Sequence, residues 1–583
     1  MCSVRGWSLT RILSIVLMGI GLTGCQQAPE PVTVADRVFL GQFLTLDDND
    51  TVVEAIAVSN GVIVGTGSRE DMLSLAGAGT DVTEIPGVAV PGWIDGHVHI
   101  SGLGSLLANL NVQSMSKPEV IAAVAAAVAD TAPGEWIIGR GWDEGFFDVA
   151  EYPTASDLDA VSPANPVFLN RIGGHSAWVN SQALEQAGID QDTRDPPGGQ
   201  VVRDAEGNAT GMLLEQAEGL VRAVMPDMNT PEYTESYIRV ALEQYRRWGL
   251  TGVHDAGTSL AEIEILKRLG EAGELPVRVY AMANDNEAVE YYLGNGPEIG
   301  LADDRLTIRS FKIYVDGALG ARGAEMSEPY SDAPDTRGLR QMSDAELDTF
   351  IAAARASGMQ VNGHVIGDLG VERMLDAIER NGVPAEERYR LEHASIISPH
   401  NLSRFAELGA IASMQPVFIG EYQRWGTDRV GAQRAPWIMP IRDLLATGAR
   451  LAASTDYPAS DSGDPRTTLN GLVNRTGFDG EPDGGWYTEQ AVDIDTALRA
   501  MSAGNAYAAF EEDRLGALVE GRYADFTVLA EDPRAVPGEE LLGIDVTMAV
   551  VGGKITFQKD NSRLRFRKTT KGKQCPEYSA RSC

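Results

Sequence analysis

The chain has 583 residues and a formal net charge of −35, with 43% hydrophobic and 22% charged residues. The length suggests two to four domains, and the composition is ordinary for a folded soluble protein. Because phosphate binding needs clustered lysine and arginine, the acidic excess argues against a nucleic-acid partner. The four cysteines stand at positions 2, 25, 575 and 583, which excludes a cysteine-based zinc site or a cysteine nucleophile from the body of the chain.

Residues 1–25 have the pattern of an export signal. A basic start precedes the apolar run 12–21, which is too short to cross a membrane comfortably. The run ends in Leu22-Thr23-Gly24-Cys25, which resembles the lipoprotein signal of bacteria and implies that Cys25 is lipidated after cleavage. This resemblance predicts a lipid-anchored protein of the cell envelope, with residues 26–32 as a tether. Gln26, in place of an aspartate, favours the outer membrane, facing the periplasm; an ordinary secretory signal is the alternative.

Short β-prone segments occupy both ends of the remaining chain. Within residues 33–90, Ser59-Asn60-Gly61 predicts a tight hairpin between two such segments. Residues 511–558 return to the same pattern. Because chain ends often lie close together, we expect the two regions to form one small β-sandwich domain.

Residues 91–510 alternate strand-like and helical segments, which is typical of a parallel sheet covered by helices. The strand count is near eight and predicts an α/β fold with a (β/α)8 TIM barrel rather than an open sheet. The stretch 100–245 is too long for one barrel loop and is expected to be an insertion that covers the mouth. The main predicted strands are 136–139, 166–170, 306–315, 359–362, 388–393, 410–414 and 450–454, and the main predicted helices are 232–248, 343–356, 371–380, 401–408, 441–446 and 491–507.

The basic tail 559–583 follows the last β-prone segment directly. It has no regular pattern and is expected to be disordered. Cys575 and Cys583 can pair in an oxidising periplasm or remain free thiols, and the sequence favours neither state.

The segment Asp95-Gly96-His97-Val98-His99 ends the first predicted strand of the barrel. Residues two apart in a strand face the same side, so His97 and His99 present two imidazoles together. Imidazole is the commonest metal ligand in proteins. Two histidines at this spacing also occur without a metal, on a surface or in a core. Whether they bind a metal therefore depends on further ligands from the rest of the chain.

Further candidate ligands belong to later predicted strands: Lys312, His364, His393 and Asp456. Active-site residues of a (β/α)8 barrel lie at the C-terminal ends of its strands, so closure of the ring would gather these side chains with the two imidazoles. Each has a structural alternative. A strand histidine is often a core residue, Lys312 can pair with Asp316, and Asp456 can start a turn.

The order His-x-His, Lys, His, His, Asp resembles the metal-dependent amidohydrolase superfamily. Finer segments resemble its branch with N-substituted formamide deformylase and the YtcJ-like proteins, amidohydrolase family 3. These segments are 139–144 (GRGWDE), 171–180 (RIGGHSAWVN), 210–213 (TGML), 312–320 (KIYVDGALG), 363–368 (GHVIGD) and 521–529 (GRYADFTVL). The resemblance spans about 33–558, and no motif of the pattern is missing.

The resemblance implies a ligand set for one or two divalent ions, zinc being favoured because imidazole and carboxylate suit it. His97 and His99 would bind one ion, and His364 and His393 the other. A free ammonium has no lone pair, and the resemblance implies that Lys312 is carboxylated by CO2 and bridges the two ions. Asp456 is implied as a ligand and as the general base.

The implied reaction is hydrolysis of an amide or formamide C–N bond in a small molecule by a metal-activated hydroxide. Cyclic amides, esters and deaminase-type substrates of the same superfamily are the alternative. A non-catalytic binding lipoprotein that keeps the fold is an alternative of another class. The sequence does not indicate the oligomeric state.

The remaining candidates are expected to touch substrate or support the ligands. His175 can contact substrate or make a structural hydrogen bond. His254 and Asp255 are placed at the end of the third barrel strand, where support of the ligands is favoured over ligation. Trp142 can line an apolar pocket or pack in a core.

Overall fold

The computed structural model describes residues 34–113, 115–149, 151–171, 176–227 and 230–560. The signal segment with Cys25, the tether, the basic tail with Cys575 and Cys583, and His175 lie outside these ranges. No helix within the described ranges is both long enough and apolar enough to cross a membrane.

Both ends of the described chain contribute to one seven-stranded sheet. Its strands follow a single hydrogen-bonded order: Lys554–Gln558, Val546–Val551, Phe526–Leu529, Ala76–Pro91, Ala35–Leu44, Val52–Ser59 and Val62–Gly67. Alternate residues of Ala35–Leu44 pack into different apolar clusters, with Phe39 in one and Val38 in the other. The sheet therefore buries apolar side chains on both faces, as period-2 alternation requires. The predicted hairpin is confirmed, because Asn60 and Gly61 both have positive φ between two antiparallel strands.

Eight parallel strands form the barrel and confirm the predicted fold class. From strand 1 to strand 8 they are Trp93–Val98, Leu250–Thr258, Arg278–Ala283, Leu306–Tyr314, Gln360–Val365, Arg390–His393, Ile411–Met414 and Arg450–Ala453. Neighbours in this order are hydrogen-bonded, and a short strand, Glu298–Gly300, pairs with strand 4 from outside. Most of the barrel packs into one large apolar core with the surrounding helices.

The gap between strands 8 and 1 is bridged by side chain and main chain. The amide of Asn505 donates to the carbonyl oxygens of Ile94 (2.6 Å) and Ala453 (2.8 Å). Toward the mouth, the backbone N–H of Asp456 donates to the carbonyl of His97 at 2.8 Å. Gly96 has no room for a side chain, because a Cβ there would overlap the Asn505 carboxamide. We name this contact region, Ile94, Gly96, Ala453 and Asn505, the seam.

Helices cover the outside of the barrel and follow the amphipathic pattern that a surface helix needs. Those of the barrel region are Ile100–Ala108, Pro231–Arg247, Leu260–Glu271, Asn286–Asn295, Asp344–Ser357, Asp368–Arg380, Leu402–Leu408, Ile419–Val430, Ile441–Ala446, Pro465–Val473, Ile494–Ala500 and Ala503–Ala508. Ser343 starts one of them with a reciprocal capping box to Glu346, as the sequence indicates.

The segment between strands 1 and 2 contains a second sheet of six strands. In hydrogen-bonded order they are Gly199–Arg203, Ala209–Glu215, Ser176–Val179, Val167–Arg171, Ile137–Trp142 and Leu110–Asn111. Helices Lys117–Asp130, Ala155–Asp159, Ser181–Gln186 and Glu218–Arg222 accompany it. This insertion has apolar clusters of its own, distinct from the core of the barrel.

Two expectations from the sequence need correction. His254 and Asp255 lie on the second barrel strand, not the third, because the strands between them and strand 1 belong to the sheet of the insertion. The single helix predicted over 491–507 is two helices, Ile494–Ala500 and Ala503–Ala508. They separate at Ser502, whose φ and ψ of −129° and −82° are not helical and whose hydroxyl bonds back to the Leu498 carbonyl.

Candidate active site

The His-x-His pair lies at the C-terminal end of strand 1. The two rings are perpendicular, with centroids 5.6 Å apart; His97 is fully buried, whereas the His99 side chain is 33% exposed. Asp95 anchors this end of the strand to the end of strand 8, because its carboxylate accepts from the Thr455 hydroxyl (2.6 Å) and backbone N–H (3.0 Å). Of the two rings, that of His97 therefore lies deeper in the protein and that of His99 nearer to solvent.

Strands 4 and 5 bring Lys312 and His364 to the same centre. Lys312 Nζ is 3.1 Å from His97 Nε2, and the rings of His364 and His393 are 4.4 Å apart. Burial lowers the pKa of Lys312, which makes its neutral, nucleophilic form easier to reach. Tyr314, two residues after Lys312 on the same face, is 43% exposed, and its ring is 5.5 Å from that of His364.

His393 reaches the centre through an unusual backbone conformation. Its φ is +71°, in the left-handed region that non-glycine residues seldom adopt. In a regular strand Glu392 and His393 would face opposite sides. Here Glu392 Oε2 contacts His97 Nδ1 at 2.5 Å, while the His393 ring is 4.9 Å from the His97 ring. The turn of the chain at His393 therefore aims two successive side chains at one site.

Asp456 completes the centre and also has a positive φ, +62°. Its Oδ1 is 3.1 Å from His99 Nε2 and 3.4 Å from His97 Nε2, and its Oδ2 is 3.8 Å from His393 Nδ1. Backbone strain of this kind clusters at functional sites, where surrounding contacts hold it in place. The carboxylate therefore faces three imidazoles at once.

The donor atoms fit a divalent ion. One ligand atom from each of His97, His393 and Asp456 falls within 4.8 Å of the others. Nε2 of His364 is buried and has no hydrogen-bond partner among the described residues. Burial lowers the pKa of His364 to about 3 and those of His97 and His393 well below the usual value, so the rings keep the neutral form that binds metal.

The described candidates for substrate contact or for support of the ligands do not belong to the ligand cluster. His254 is buried in the barrel interior, where its Nδ1 accepts from Arg390 at 3.1 Å, and Asp255 accepts from the Ile100 N–H (2.8 Å) and the Thr258 hydroxyl (2.8 Å). Neither is among the clustered donor atoms. Trp142 is fully buried in the core of the insertion, with its indole N–H on the Leu169 carbonyl. In the structure, Trp142 therefore packs in a core, which is one of the two alternatives that the sequence left open.

Sequence reasoning missed the residues behind the ligands. Glu392 and Arg390 form a buried ion pair of 2.8 Å, and Gln415 Oε1 lies 2.8 Å from His393 Nδ1. The only signal was a charged pair two residues apart in a short strand, Arg390-Leu391-Glu392, which alternation places on one face. In a regular strand only one of Glu392 and His393 would face the centre, so alternation would have excluded the other from the site.

The chain is similar to known proteins over most of its length. A family model described as "Amidohydrolase family" matches residues 87–557, which is most of the chain. The chain belongs to the amidohydrolase family. "Putative amidohydrolase YtcJ" of Bacillus subtilis (strain 168) is 32% identical over 530 residues, which are 89% of this chain and 98% of that protein. N-substituted formamide deformylase of Arthrobacter pascens is 26% identical over 541 residues, covering 89% of this chain and 97% of the relative.

A solved structure agrees with this assignment. The uncharacterized metal-dependent hydrolase of Pyrococcus horikoshii OT3 is 29% identical and aligns with a TM-score of 0.69, covering 86% of this chain and 99% of that one. The protein is therefore a hydrolase of the amidohydrolase family, and its His and Asp donor set supports a divalent metal.

Proposed function

We propose that this amidohydrolase cleaves an amide or formamide C–N bond of a small molecule at the centre formed by the ends of strands 1, 4, 5, 6 and 8. The observation that carries the proposal is the position of Asp456, whose carboxylate lies beside His97, His99 and His393 in one cluster. The similarity to an N-substituted formamide deformylase along nearly its whole length supports this bond class.

The side chains that would hold the metal are those already predicted: His97, His99, His364, His393, Asp456 and Lys312. Zinc is our first choice because a site of imidazoles and a carboxylate suits it. A bound divalent ion would lower the pKa of water to about 7 and polarise the substrate carbonyl.

Asp456 is the proton carrier in this scheme. It takes a proton from the attacking water as the C–O bond forms at the carbonyl carbon. It returns the proton to the departing nitrogen as the C–N bond breaks, so the products are a carboxylic acid, or formate, and an amine. His99, the more exposed imidazole of the strand 1 pair, lies 3.1 Å from this carboxylate.

We further propose that Lys312 is carboxylated. Its neutral amine adds to CO2 and releases a proton, which gives a carbamate whose two oxygens can bridge two ions. Burial, which lowers the pKa of Lys312, favours the amine that this reaction needs. Metal analysis with intact-protein mass or density at Lys312 tests it: an added carboxylate with two ions is expected, and a bare amine with one ion would remove the bridge.

A substrate panel tests the reaction. The metal-loaded protein is assayed with N-substituted formamides, linear and cyclic amides, esters and amino-heterocycles, beside chelator-treated protein. We expect turnover of formamides or amides that is lost on chelation. Turnover confined to cyclic amides, esters or deamination would favour the second reaction class, and no turnover by fully loaded protein would favour a binding lipoprotein.

We also propose that the protein is anchored to the cell envelope through Cys25, on the periplasmic side of the outer membrane. The support is the sequence Leu22-Thr23-Gly24-Cys25 after a short apolar run, followed by Gln26. Labelling with a radioactive fatty acid in a Gram-negative host tests it. Label should enter the wild-type chain and be absent from Cys25→Ala, and equal labelling of both would contradict the anchor.

A further inference from the structure

A buried ion pair underlies the first metal-ligand candidate. Glu392 is fully buried, and its Oε2 lies 2.5 Å from Nδ1 of His97. Its Oε1 is 2.8 Å from Nε of Arg390, which is also fully buried. Arg390 donates in addition to the Gly96 carbonyl at 2.5 Å and the Ser413 hydroxyl at 3.1 Å. The pair is thus tied to strand 1, which carries His97, and to strand 7.

The two neighbours of the His97 ring determine where its proton lies. A carboxylate only accepts hydrogen bonds, so the proton of the neutral ring lies on Nδ1, facing Glu392. Nε2 also lies near a carboxylate, that of Asp456, but at 3.4 Å, so the shorter contact of 2.5 Å to Glu392 places the proton on Nδ1. The lone pair on Nε2 is then the one that can bind a metal ion.

The other clustered histidines are supported differently. Nδ1 of His393 faces Gln415, a neutral amide oxygen, and His364 interacts with the backbone of Gly317. Among the described ligand candidates, His97 differs from His393 and His364 because its Nδ1 contacts a buried carboxylate. That carboxylate, of Glu392, is itself ion-paired with Arg390. A carboxylate behind a ligand ring fixes its orientation and raises its basicity.

A contribution to stability does not by itself explain the buried ion pair of Arg390 and Glu392. Removing two charges from water costs several kcal/mol each, and buried pairs are often no more stabilising than apolar residues of the same volume. We infer that Arg390 and Glu392 are positioning residues that hold His97 in the Nδ1–H tautomer and thereby set the metal affinity of the site. The inference rests on the metal centre of the proposed function but not on its substrate.

A second buried pair provides the matched control. Arg278 and Asp525 make two contacts of 2.8 and 3.0 Å, are nearly as buried, and touch no histidine of the centre. Glu392→Gln is compared with Asp525→Asn, and Glu392→Leu with Asp525→Leu. Both pairs of variants should lose stability, because each leaves an arginine with a weaker partner or none.

The readout is zinc affinity, measured by competition with a chromophoric chelator without substrate. We expect Glu392→Gln to bind zinc about 10-fold more weakly and Glu392→Leu up to about 100-fold more weakly, with both Asp525 variants near wild type. Zinc affinity of Glu392→Leu within about twofold of wild type would overturn the inference. Because no substrate is used, this result is separate from the outcome of the substrate panel.

A measurement on the wild-type protein covers the case in which the Glu392 variants do not fold. With 15N-labelled histidine, the metal-free chain has only seven histidines to assign, and His97→Asn identifies the signal. We expect a protonated Nδ1 and an unprotonated Nε2 on His97. A proton on Nε2 would overturn the inference whatever the variants do.

Discussion

Asp456 and His97 are joined by main chain and by side chain. The N–H of Asp456 donates to the carbonyl of His97 at 2.8 Å, and its carboxylate lies 3.4 Å from the His97 ring. The first contact bridges the barrel between strands 8 and 1, and the second assembles the centre. The contact that closes the barrel at this point therefore also holds the candidate base beside the imidazoles.

Replacing Asp456 by asparagine should remove the base while keeping the shape of the side chain. We expect kcat to fall by about 100-fold or more, because general-base catalysis contributes on that scale, while bound metal falls less. Activity and metal content are measured on the same sample. Asp461→Asn, at an exposed position in the same loop, is the control and should keep wild-type activity. Asp456→Asn with normal kcat would contradict the assigned role.

Substituting one aromatic at the mouth and one in the insertion should separate substrate contact from packing. Tyr314→Ala should raise KM more than it lowers kcat, because the ring is exposed beside His364. Trp142→Phe should leave KM unchanged and cost about 1–3 kcal/mol of unfolding free energy, because a buried hydrogen bond to Leu169 is lost. Steady-state kinetics and urea unfolding measure both. A change in KM for the Trp142 variant alone would reverse the assignment.

The seam should be needed for metal binding as well as for stability. Asn505→Ala removes two hydrogen bonds to buried carbonyls and should cost about 2–4 kcal/mol of unfolding free energy. It should also lower metal content, because the amide joins strand 1, which carries His97, to the end of strand 8, which Asp456 follows.

Asn470→Ala is the control for the seam, since this buried amide also donates to two carbonyls, those of Thr476 and Gly477, away from the centre. It should lose stability and keep its metal. Equal metal loss in both variants would mean that destabilisation alone explains the effect.

His254 should make stability fall in mild acid. Burial, together with Arg390, lowers its pKa well below the ordinary value of 6.5, so the folded chain keeps the ring neutral while the unfolded chain protonates it. The stabilisation is therefore full above pH 6.5 and is lost as the pH falls below it, by about 1.4 kcal/mol per pH unit.

The substitution His254→Asn keeps an acceptor for Arg390 and cannot take up the proton. The unfolding free energies of the two proteins are compared by urea denaturation between pH 8 and pH 5 on metal-free samples. Relative to the variant, wild type should lose about 2 kcal/mol from pH 6.5 to pH 5. Parallel curves would show that His254 is protonated in the folded state or that the ring is not buried there.

Much of the fold was readable from the sequence because the ligand candidates lie in or just after short β-prone segments that alternate with helical ones. The strand carrying Lys312 was predicted over 306–315 and is Leu306–Tyr314, and the helix predicted over 232–248 is Pro231–Arg247. The strand number of His254 was not readable, since the strands of the insertion have the same local pattern as those of the barrel.

The residues behind the metal-ligand candidates could not be predicted from the sequence, for a different reason. Glu392 and His97 are 295 residues apart, and no local pattern connects them. The positive φ of His393 and Asp456 is set by tertiary contacts that the sequence does not show. Strand alternation therefore gave the wrong face for one residue of the Glu392-His393 pair.

The insertion departs from the barrel after strand 1 and returns before strand 2, yet those two strands remain hydrogen-bonded neighbours. Its apolar clusters are also separate from those of the barrel. A segment attached in this way can be lengthened, shortened or exchanged while strands 1 and 2 keep their pairing. Such a change would leave the side chains of the centre in place.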